Sequence, residues 1–295
     1  FTEAIHGSPG VRQGLPSAVM FKCSGCCAAE EHDELKVAQR KAPPPGVFFT
    51  PEDKAPEGGL EERAEVQISG GASYTGQWRG SVREGKGVIR RSDGGVYNGT
   101  FLSNMAHGQG KFTHANGDVY EGGWKEDKAH GVGKFVLADG SSYEGQWFEN
   151  MKQGKGTEVW CDNSRFEGYY VAGKKHGKGK FTSAEGSTFE GEFQDDTMEG
   201  PGECKFEDGR SYVGQWSGSQ MNGDGVMTWP DGKKYEGQYV CDKKQGQGTF
   251  RWPDGRSYFG EWRQGKQHGS GTYTDARGRH RDGKWLDGKR VEWTS

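Results

Sequence analysis

The sequence predicts an all-β fold: an elongated antiparallel β-hairpin solenoid built from 23-residue repeats. Three observations support this prediction. Glycine recurs every 23 residues from Gly76 to Gly283, aromatic residues flank these glycines two positions to either side, and a Gly-x-Gly pair follows in each full repeat. A constant period of this length is typical of repeat architectures. We expect the solenoid over residues 66–295, as nine full repeats and a degraded tenth.

The overall composition alone does not predict a folded solenoid, but the positions of the glycines do. The chain has 52 glycines and 31% apolar residues, values that often accompany disorder. It also has 10 Trp, 11 Tyr and 15 Phe, and most glycines fall in register with them. We therefore expect structural glycines and not a flexible linker. The net charge of −3 gives no indication of nucleic-acid binding.

The first strand of each repeat follows the pattern aromatic-x-Gly-x-aromatic. Its period of two places all three residues on one face of a strand. A glycine between two rings leaves a gap that the rings can cover. We expect these residues to form the repeat core, with the clearest triplets at Tyr97, Gly99 and Phe101; Tyr120, Gly122 and Trp124; Tyr143, Gly145 and Trp147; Tyr212, Gly214 and Trp216; and Tyr258, Gly260 and Trp262. In the last repeat Arg281 replaces the first aromatic residue.

The second strand of each repeat is predicted after the Gly-x-Gly pair, beyond six mostly polar residues. The position that follows this pair by two residues is usually apolar, but Cys204 and Glu158 also occur there. Cys204 fits a buried thiol, whereas the pattern does not explain Glu158. Asp-Gly or Asn-Gly pairs such as Asp93-Gly94 then lead to the next repeat. Because such pairs tolerate positive φ, we expect tight hairpin turns there.

The repeat resembles the MORN (membrane occupation and recognition nexus) family, whose pattern reads approximately Tyr-Glu-Gly-x-Trp, then His-Gly-x-Gly and an Asp-Gly turn. Residues 143–147 and 235–239 match the first part. The second part is matched by His107, His130, His176 and His268. The resemblance covers residues 66–295 and implies an elongated antiparallel β-solenoid.

The resemblance implies a function more loosely than a fold. Family members act as scaffolds, as membrane-linked or cytoskeletal adaptors, and as accessory segments of lipid kinases and a methyltransferase. We expect a non-enzymatic cytoplasmic scaffold that binds protein partners along its repeats, is tethered to a membrane or the cytoskeleton, and needs no cofactor or metal. Self-association is also open. The alternatives are a phosphoinositide- or phospholipid-binding module and a regulatory fragment of a phosphatidylinositol phosphate kinase or methyltransferase. The kinase motifs are absent from this sequence.

Two basic segments are the candidates for contact with an anionic surface. The first contains Lys174, Lys175, Lys178 and Lys180, although residues 143–211 around it carry 9 basic and 14 acidic side chains. The second segment, residues 251–295, has 10 basic and 6 acidic residues. Its clustered cations are Arg277, Arg279, Arg281, Lys284, Lys289 and Arg290. Ordinary solvated charge is the alternative explanation for both segments.

Residues 1–65 lack the repeat and are predicted to be a mostly disordered tail. They contain Cys23, Cys26 and Cys27 shortly after Met20. If Met20 is the start of the protein, these cysteines form an N-terminal cluster of the kind that is S-acylated. An unmodified thiol cluster is the alternative, and the two interpretations stay open. One Cys-x2-Cys pair without a second ligand pair does not indicate a zinc site.

Overall fold

The computed structural model describes residues 58–295, and these residues form a single antiparallel β-sheet. This confirms the predicted all-β solenoid. The sheet begins with β1 (Glu61–Ile68), followed by a 3-10 turn (Ser69–Gly71). Ten β-hairpins then follow, each with a first strand that carries aromatic residues, and in the first nine hairpins the second strand carries the Gly-x-Gly pair.

The strands keep nearly constant bounds from repeat to repeat. The first strands are β2 (Ala72–Arg79), β4 (Val96–Leu102), β6 (Val119–Lys125), β8 (Ser142–Phe148), β10 (Arg165–Val171), β12 (Thr188–Gln194), β14 (Ser211–Ser217), β16 (Lys234–Val240), β18 (Ser257–Arg263) and β20 (His280–Leu286). The second strands are β3 (Val82–Arg90), β5 (Met105–Thr113), β7 (Lys128–Val136), β9 (Met151–Val159), β11 (Lys174–Thr182), β13 (Thr197–Lys205), β15 (Gln220–Thr228), β17 (Lys243–Arg251), β19 (Lys266–Thr274) and β21 (Lys289–Trp293).

Every strand from β2 to β20 pairs with the strand before it and the strand after it, so the sheet is one long meander. The register repeats as well: Tyr97 lies opposite Ile89 on one side and Phe112 on the other, and Gly99 lies opposite Gly87 and Gly110. Substantial contacts between strands occur only between sequence neighbours. At about 4.8 Å per strand, the sheet extends roughly 100 Å along the stacking direction.

The hairpin of each full repeat contains a β-bulge that requires the first glycine of the Gly-x-Gly pair. Between the pairs Gly99–Gly110 and Phe101–Ala106, one residue of β4 lies opposite three of β5. Gly108 stands at this point with φ 74°. The equivalent glycines of the other full repeats also have positive φ, which glycine adopts without steric cost.

The second glycine of the pair is needed for a different reason. In the third hairpin, a Cβ on Gly133 would lie 2.6 Å from Cζ of Tyr120. The tyrosine ring therefore lies directly over the backbone of this strand, and a Cβ on Gly122 of the neighbouring strand would overlap the Cα of Gly133. The two glycines of one motif thus serve backbone conformation and ring packing separately.

The hydroxyl of the first-strand tyrosine donates a hydrogen bond to a backbone carbonyl three residues later in the same strand. Tyr120 Oη donates to the Gly123 carbonyl at 3.0 Å, and Tyr235 Oη donates to the Gln238 carbonyl at 3.1 Å. This carbonyl belongs to the residue at the bulge, where the regular pairing is interrupted. Two repeats have phenylalanine instead, at Phe166 and Phe189, and lack this bond.

Adjacent hairpins are joined at their tips by the turn residues. The second turn residue donates its N–H to a carbonyl of the preceding repeat, as Asn150 does to Ala129 at 3.0 Å. Where that residue is Asn or Asp, its side chain also accepts a bond in return: Ala129 N–H donates to Asn150 Oδ1 at 2.7 Å. This reciprocal pair extends the hydrogen bonding beyond the end of each first strand.

The predicted position of the tight turns was wrong. The two-residue turns with positive φ at both positions lie within the polar stretch, for example Glu126-Asp127 at 50° and 63°. The Asp-Gly pairs instead lie in five-residue loops, where only the glycine has positive φ. Their aspartate accepts an N–H two residues later, as Asp93 does from Gly95. Asp-Gly favours both geometries, so the dipeptide alone did not distinguish them.

The boundary of the N-terminal tail also shifts. β1 begins at Glu61 and pairs with β2 through Glu61–Trp78, so residues 61–65 belong to the sheet. Its charged, exposed residues do not resemble the repeat, and charge is typical of an edge strand protected from further pairing. Residues 1–57 of the predicted tail lie outside the described residues.

Candidate binding surface

One face of the sheet holds an unbroken chain of aromatic rings. Each ring at the first aromatic position makes two edge-to-face contacts. One is with the ring at the second aromatic position of its own repeat, four residues later, and the other is with the ring at the second aromatic position of the next repeat. Tyr143 contacts Trp147 and Tyr170 in this way, with both centroid distances 5.1 Å. These contacts continue from Trp78 to Trp285. Most of the rings are buried, so this face is mainly a core and offers little open aromatic surface.

A single position covers these rings, and its residue varies between repeats. It is the second residue of each second strand, and we call it the covering position. Its occupants are Arg83, Ala106, Ala129, Lys152, Lys175, Met198, Met221, Lys244, Gln267 and Arg290. Arg83, Lys152, Lys175, Lys244 and Arg290 place their cationic groups over aromatic rings. Cation–π attraction therefore contributes to closing this face.

Lys244 is the most enclosed of these cations. Its Nζ lies 4.7 to 5.2 Å from the ring centroids of Trp229, Tyr235, Phe250 and Trp262. Burial lowers the pKa of Lys244 to about 8. These four rings form an aromatic cage, and the Lys244 side chain already occupies it.

The structure explains Glu158, which the sequence pattern did not. Glu158 Oε1 forms an ion pair with Lys152 Nζ, and its Oε2 accepts a hydrogen bond from Tyr170 Oη at 2.9 Å. Lys175 Nζ lies 4.0 Å from the same carboxylate. Lys152 and Lys175 occupy covering positions in successive repeats, so one acid among the rings is matched by two cations. Burial and the Glu158 charge raise the pKa of Tyr170.

The opposite face is polar and carries its side chains in rows that follow the cross-strand register. We name two of these rows. The central row consists of the third residue of each first strand (the fourth in the longer β2) and the seventh of each second strand from β3 to β19; it contains seven carboxylates and only three lysines. The central-row residues are Thr75, Val88, Asn98, Lys111, Glu121, Lys134, Glu144, Thr157, Glu167, Lys180, Glu190, Glu203, Val213, Val226, Glu236, Thr249, Phe259, Thr272 and Asp282.

The second named row, the hairpin row, has the opposite composition. It consists of the last residue of each first strand and the first residue of each second strand, which lie opposite each other beside the tight turn. It holds eight basic and eight apolar residues and no acidic one. Its members are Arg79, Val82, Leu102, Met105, Lys125, Lys128, Phe148, Met151, Val171, Lys174, Gln194, Thr197, Ser217, Gln220, Val240, Lys243, Arg263, Lys266, Leu286 and Lys289.

Large apolar side chains are exposed on the polar face outside the hairpin row. Val213 is 54% exposed and Phe259 is 55% exposed, both in the central row. Tyr169 and Val132, one position nearer the tight turns, are 51% and 67% exposed. Since the rings of the opposite face already form the core, these side chains have no packing role within the sheet. Exposed apolar groups on a rigid surface are typical of a protein-binding site.

A shallow depression of about 670 Å³ lies on the polar face over the second and third hairpins. Gly122 and Gly133, which have no side chains, are among the residues that line it. Lys111 with Glu121 and Lys134 with Glu144 form cross-strand ion pairs along it at 3.7 and 3.4 Å. The depression is open and its charges are paired, so it provides a contact area and not an enclosed ligand site.

The first basic segment does not form a patch. Lys174 belongs to the hairpin row, whereas Lys175 covers the aromatic face over Trp160 and Phe166. Lys178 and Lys180 lie on the polar face, opposite Glu192 and Glu190. The four lysines therefore point to two faces of the sheet, and carboxylates lie among them.

The second basic segment is also divided. Arg277 and Arg279 lie in the last loop, where Arg279 Nε pairs with Asp275 at 2.7 Å. Arg281 and Arg290 both stack on Trp293, at 5.5 and 4.2 Å from the ring centroid. Lys284 on the polar face pairs with Glu292 at 2.7 Å, and Lys289 lies in the hairpin row.

Arg281 occupies the first aromatic position of the last repeat, where the other repeats have tyrosine or phenylalanine. There its side chain helps to cover the last aromatic residues. Its register partner Tyr273 belongs to the last complete repeat. The guanidinium groups of Arg281 and Arg290 thus close the end of the ring chain together with Trp293.

The cysteine cluster Cys23, Cys26 and Cys27 lies outside the described residues. Within residues 58–295, Cys204 is buried among the rings, and burial raises the pKa of its thiol to about 12. No set of three or more His, Cys, Asp or Glu side chains in that part of the chain is arranged to hold a metal ion. That part also has no helix long and apolar enough to cross a membrane.

Comparison with known proteins gives one family match. A family model described as MORN repeat matches nine segments that together cover more than half of the chain: residues 74–96, 97–119, 120–142, 143–165, 166–188, 189–209, 212–234, 235–255 and 258–278. None of the curated protein sequences compared with the chain matches it.

Similar solved structures include two CPAP domains with low overall agreement. One is the TCP domain of SAS-4 (dCPAP) from Drosophila melanogaster, solved in complex with a proline-rich motif of Ana2 (dSTIL). It is 12% identical, with a TM-score of 0.28, over 68% of this chain and 90% of that one. The other is the TCP10 domain of Danio rerio CPAP, 12% identical with a TM-score of 0.25, over 78% and 99% of the two chains. TM-scores this low do not establish a common fold.

Proposed function

The chain belongs to the MORN-repeat family, and from this premise we propose that it is a non-enzymatic scaffold whose polar face binds protein partners. The observation that carries the proposal is the set of exposed apolar side chains on that face. Val213 and Phe259 are more than half exposed, although most of the other central-row residues are polar. The opposite face is committed to packing, so the polar face is free to recognise a partner.

The rigidity of the sheet supports this role. Each repeat fixes its backbone through the ring contacts, the bulge glycine and the turn-to-turn hydrogen bonds, so the exposed side chains recur at a constant spacing. A partner that contacts several repeats therefore meets a preorganised surface, which reduces the entropy lost on binding.

The enzymatic alternatives remain proposals without a supporting site. The depression over the second and third hairpins is lined by paired lysines and glutamates, and no nucleophile with an adjacent base lies in it. The chain as a regulatory segment of a lipid kinase or methyltransferase would use the same polar face, because regulation by a repeat segment is also partner binding.

Phospholipid binding by the repeats is less well supported than protein binding. The two predicted basic segments are divided between faces and edges, and the central row is acidic. An anionic membrane placed flat on the polar face would meet these carboxylates. Flotation with phosphatidylserine or phosphoinositide vesicles tests this alternative, and co-flotation of a chain with Cys23, Cys26 and Cys27 replaced by serine would support it.

We also propose that the protein is cytoplasmic and that acylation of Cys23, Cys26 and Cys27 tethers it to a membrane. Two or three acyl chains close together give stable attachment, whereas one gives marginal attachment. The test is membrane fractionation in a eukaryotic cell of a chain beginning at Met20. The triple serine variant should become soluble, whereas Cys241→Ser, at an exposed turn, should not change fractionation.

The scaffold proposal is tested by comparing partner capture between matched variants. The variant Val213→Ser/Phe259→Ser removes two exposed apolar groups of the central row. The control is Val291→Ser, which removes an apolar group that is 60% exposed on the terminal strand β21. We expect the double variant to lose partners that the wild type and the control retain, with unchanged melting temperatures. Equal capture by all three proteins would contradict the assignment of the polar face.

A further inference from the structure

The aromatic face contains one carboxylate that is held by two donors of the same chain. Glu158 Oε2 accepts a hydrogen bond from Tyr170 Oη at 2.9 Å and lies 4.0 Å from Lys175 Nζ. Lys175 Nζ in turn lies 5.0 Å from the ring centroid of Trp160. A tyrosine hydroxyl and an ammonium group over aromatic rings therefore form an occupied carboxylate site between the fourth and fifth hairpins.

The same three positions recur three repeats later, but the acid is absent there. The equivalent residues, in the order acid, tyrosine and lysine, are Met227, Tyr239 and Lys244. Tyr239 is 3% exposed, and its Oη has no hydrogen-bond partner among residues 58–295. A buried hydroxyl without a hydrogen bond lowers stability, so few proteins retain one. Met227 is buried at the position of the acid, so this position supplies no carboxylate to the two donors.

Lys244 is a cation with four rings around it and no acid beside it. Its Nζ lies 4.7 to 5.2 Å from the four ring centroids, and within residues 58–295 it has neither a hydrogen-bond acceptor nor an ion-pair partner. Asp242, the acid nearest along the chain, accepts a hydrogen bond from the Met221 N–H at 2.8 Å. Burial alone accounts for the lowered pKa of Lys244. By contrast, Lys175 has two carboxylates within 4.0 Å.

The Lys244 ammonium group is accessible from the solvent. The residue as a whole is partly exposed. Among residues 58–295, the fully buried side-chain polar atoms without a partner belong to Trp78, His176 and Tyr239. Lys244 Nζ also lacks a partner but is not one of these atoms, so part of its surface is open to an incoming group.

Two partly buried tryptophans adjoin this ammonium group, and the other charges near it are paired. Trp229 is one of the four rings, and Trp252 contacts another of them, with ring centroids 4.7 Å apart. The covering positions on either side hold the uncharged residues Met221 and Gln267. The basic residues of the adjoining loops each pair with an aspartate of their own loop at 2.6 to 2.7 Å, and they are Arg210, Lys233 and Arg256.

We propose that Lys244 and the rings around it form a carboxylate-binding site that takes a glutamate or aspartate side chain of a partner protein. The carboxylate pairs with the ammonium group, as Glu158 pairs with Lys175. Apolar atoms beside the carboxylate cover Trp229 and Trp252, which a small free anion would leave uncovered. Shielding by the rings strengthens the ion pair relative to a fully exposed one. The site lies on the aromatic face, so it does not depend on binding by the polar face.

The test is a pH titration of Lys244 in the full chain, followed by NMR of carbon-13-labelled lysine side chains. Sodium acetate is the probe, sodium chloride at equal ionic strength is the reference, and Lys244→Met assigns the signal. A bound carboxylate favours the charged form of the lysine, so acetate at about 0.1 M should raise the pKa of Lys244 by about 0.5 or more. The same pKa in acetate and in chloride would overturn the proposal.

Two other lysines and one variant serve as controls. Lys175, which already faces Glu158, and the exposed Lys155 should give the same signals in acetate as in chloride. Met227→Glu places an acid at the position of Glu158, so the pKa of Lys244 should rise without acetate and acetate should no longer change it. An intact sheet is checked by circular dichroism. Equal responses of Lys244 and Lys155, or a full acetate response in the folded variant, would contradict a site at Lys244.

Further probes distinguish the sources of the anion. The capped tripeptide Leu-Glu-Leu adds apolar atoms for Trp229 and Trp252, so it should bind about tenfold more tightly than acetate. The capped tripeptide Leu-Gln-Leu should leave the Lys244 signal unchanged. Equal affinities for acetate and the glutamate peptide would overturn the partner side chain in favour of a small free carboxylate. Tighter binding of inorganic phosphate than of the glutamate peptide would overturn it in favour of a phosphate group.

Discussion

Individual residues of the Gly-x-Gly motif differ in why they are glycine, and a pair of alanine variants separates the reasons. A Cβ on Gly131 meets no atom within 4 Å, but the residue has φ 79°. Gly131→Ala should therefore cost about 1–2 kcal/mol of backbone strain. Gly133→Ala should cost more, about 2–4 kcal/mol, because Cβ would overlap the Tyr120 ring and displace it.

Urea denaturation of both glycine variants, followed by circular dichroism, measures the difference. Equal losses would mean that the ring does not lie against the second glycine. A larger loss for Gly131→Ala would mean the same.

The tyrosine hydroxyls can be tested in both directions at the residue scale. Tyr235→Phe removes the bond to the Gln238 carbonyl and should cost about 1 kcal/mol. Phe189 lies in the equivalent position over Gly191 and Gly202. Phe189→Tyr should therefore gain a bond of similar strength, to the Glu192 carbonyl. Chemical denaturation midpoints should move in opposite directions, and a destabilising Phe189→Tyr would contradict the equivalence of the two repeats.

At the scale of the hairpin, stability depends on the bonds between successive turns. Asn150→Ala removes the acceptor for the Ala129 N–H and places alanine at φ 69°, so it should cost about 1–3 kcal/mol. The next turn has Gly173 at this position, with φ 86° and open space where a Cβ would lie.

Gly173→Asn should therefore stabilise the protein by about 0.5–1 kcal/mol, since asparagine tolerates this conformation and supplies an acceptor for Lys152 N–H. Thermal melts of the two variants check both signs. Destabilisation by Gly173→Asn would show that the turn side chain does not carry the link.

The hairpins also show which parts of the fold the sequence could predict. Strand faces, repeat length and buried rings follow from a strict period, because every repeat solves the same packing problem. The turn positions were misplaced because Asp-Gly suits a five-residue loop as well as a tight turn. Glu158 could not be explained, because its partners Lys152 and Lys175 stand six residues before it and in the next repeat. The hairpin row appears only when the cross-strand register is known.

The predicted basic surface shows the same limit. Lys174, Lys175, Lys178 and Lys180 are close in sequence, but alternation along the strand and the bulge divide them between faces. Closeness in sequence therefore did not imply a common patch. The sequence analysis also missed the covering position. Residues at that position recur with the same period as the glycines, but arginine, lysine, methionine, alanine and glutamine all occur there, so no single residue type marks it.

For the molecule as a whole, the tyrosines predict loss of structure at high pH. Burial raises the pKa of Tyr258 to about 12 and raises those of Tyr97, Tyr120, Tyr143 and Tyr235 further. In the unfolded chain these groups titrate near pH 10. A raised pKa in the folded state contributes stability that is complete below about pH 10 and is lost as pH rises towards the folded values.

We therefore expect cooperative unfolding above about pH 10, with tyrosinate absorbance and the loss of the β-sheet circular dichroism signal rising together. A control in urea should titrate near the ordinary value. Complete ionisation near pH 10 with an intact sheet would show that the tyrosines are not enclosed by the ring chain.

The central claim is that residues 58–295 form one continuous sheet, in which each hairpin rests only on its neighbours, and small-angle X-ray scattering of the full chain tests it most directly. A rod of roughly 100 Å should give a rod-like scattering regime and a radius of gyration of about 30 Å or more. A compact fold of this size would have a radius of gyration near 20 Å. A rod-like curve is the predicted result, and a globular curve near 20 Å would contradict the account.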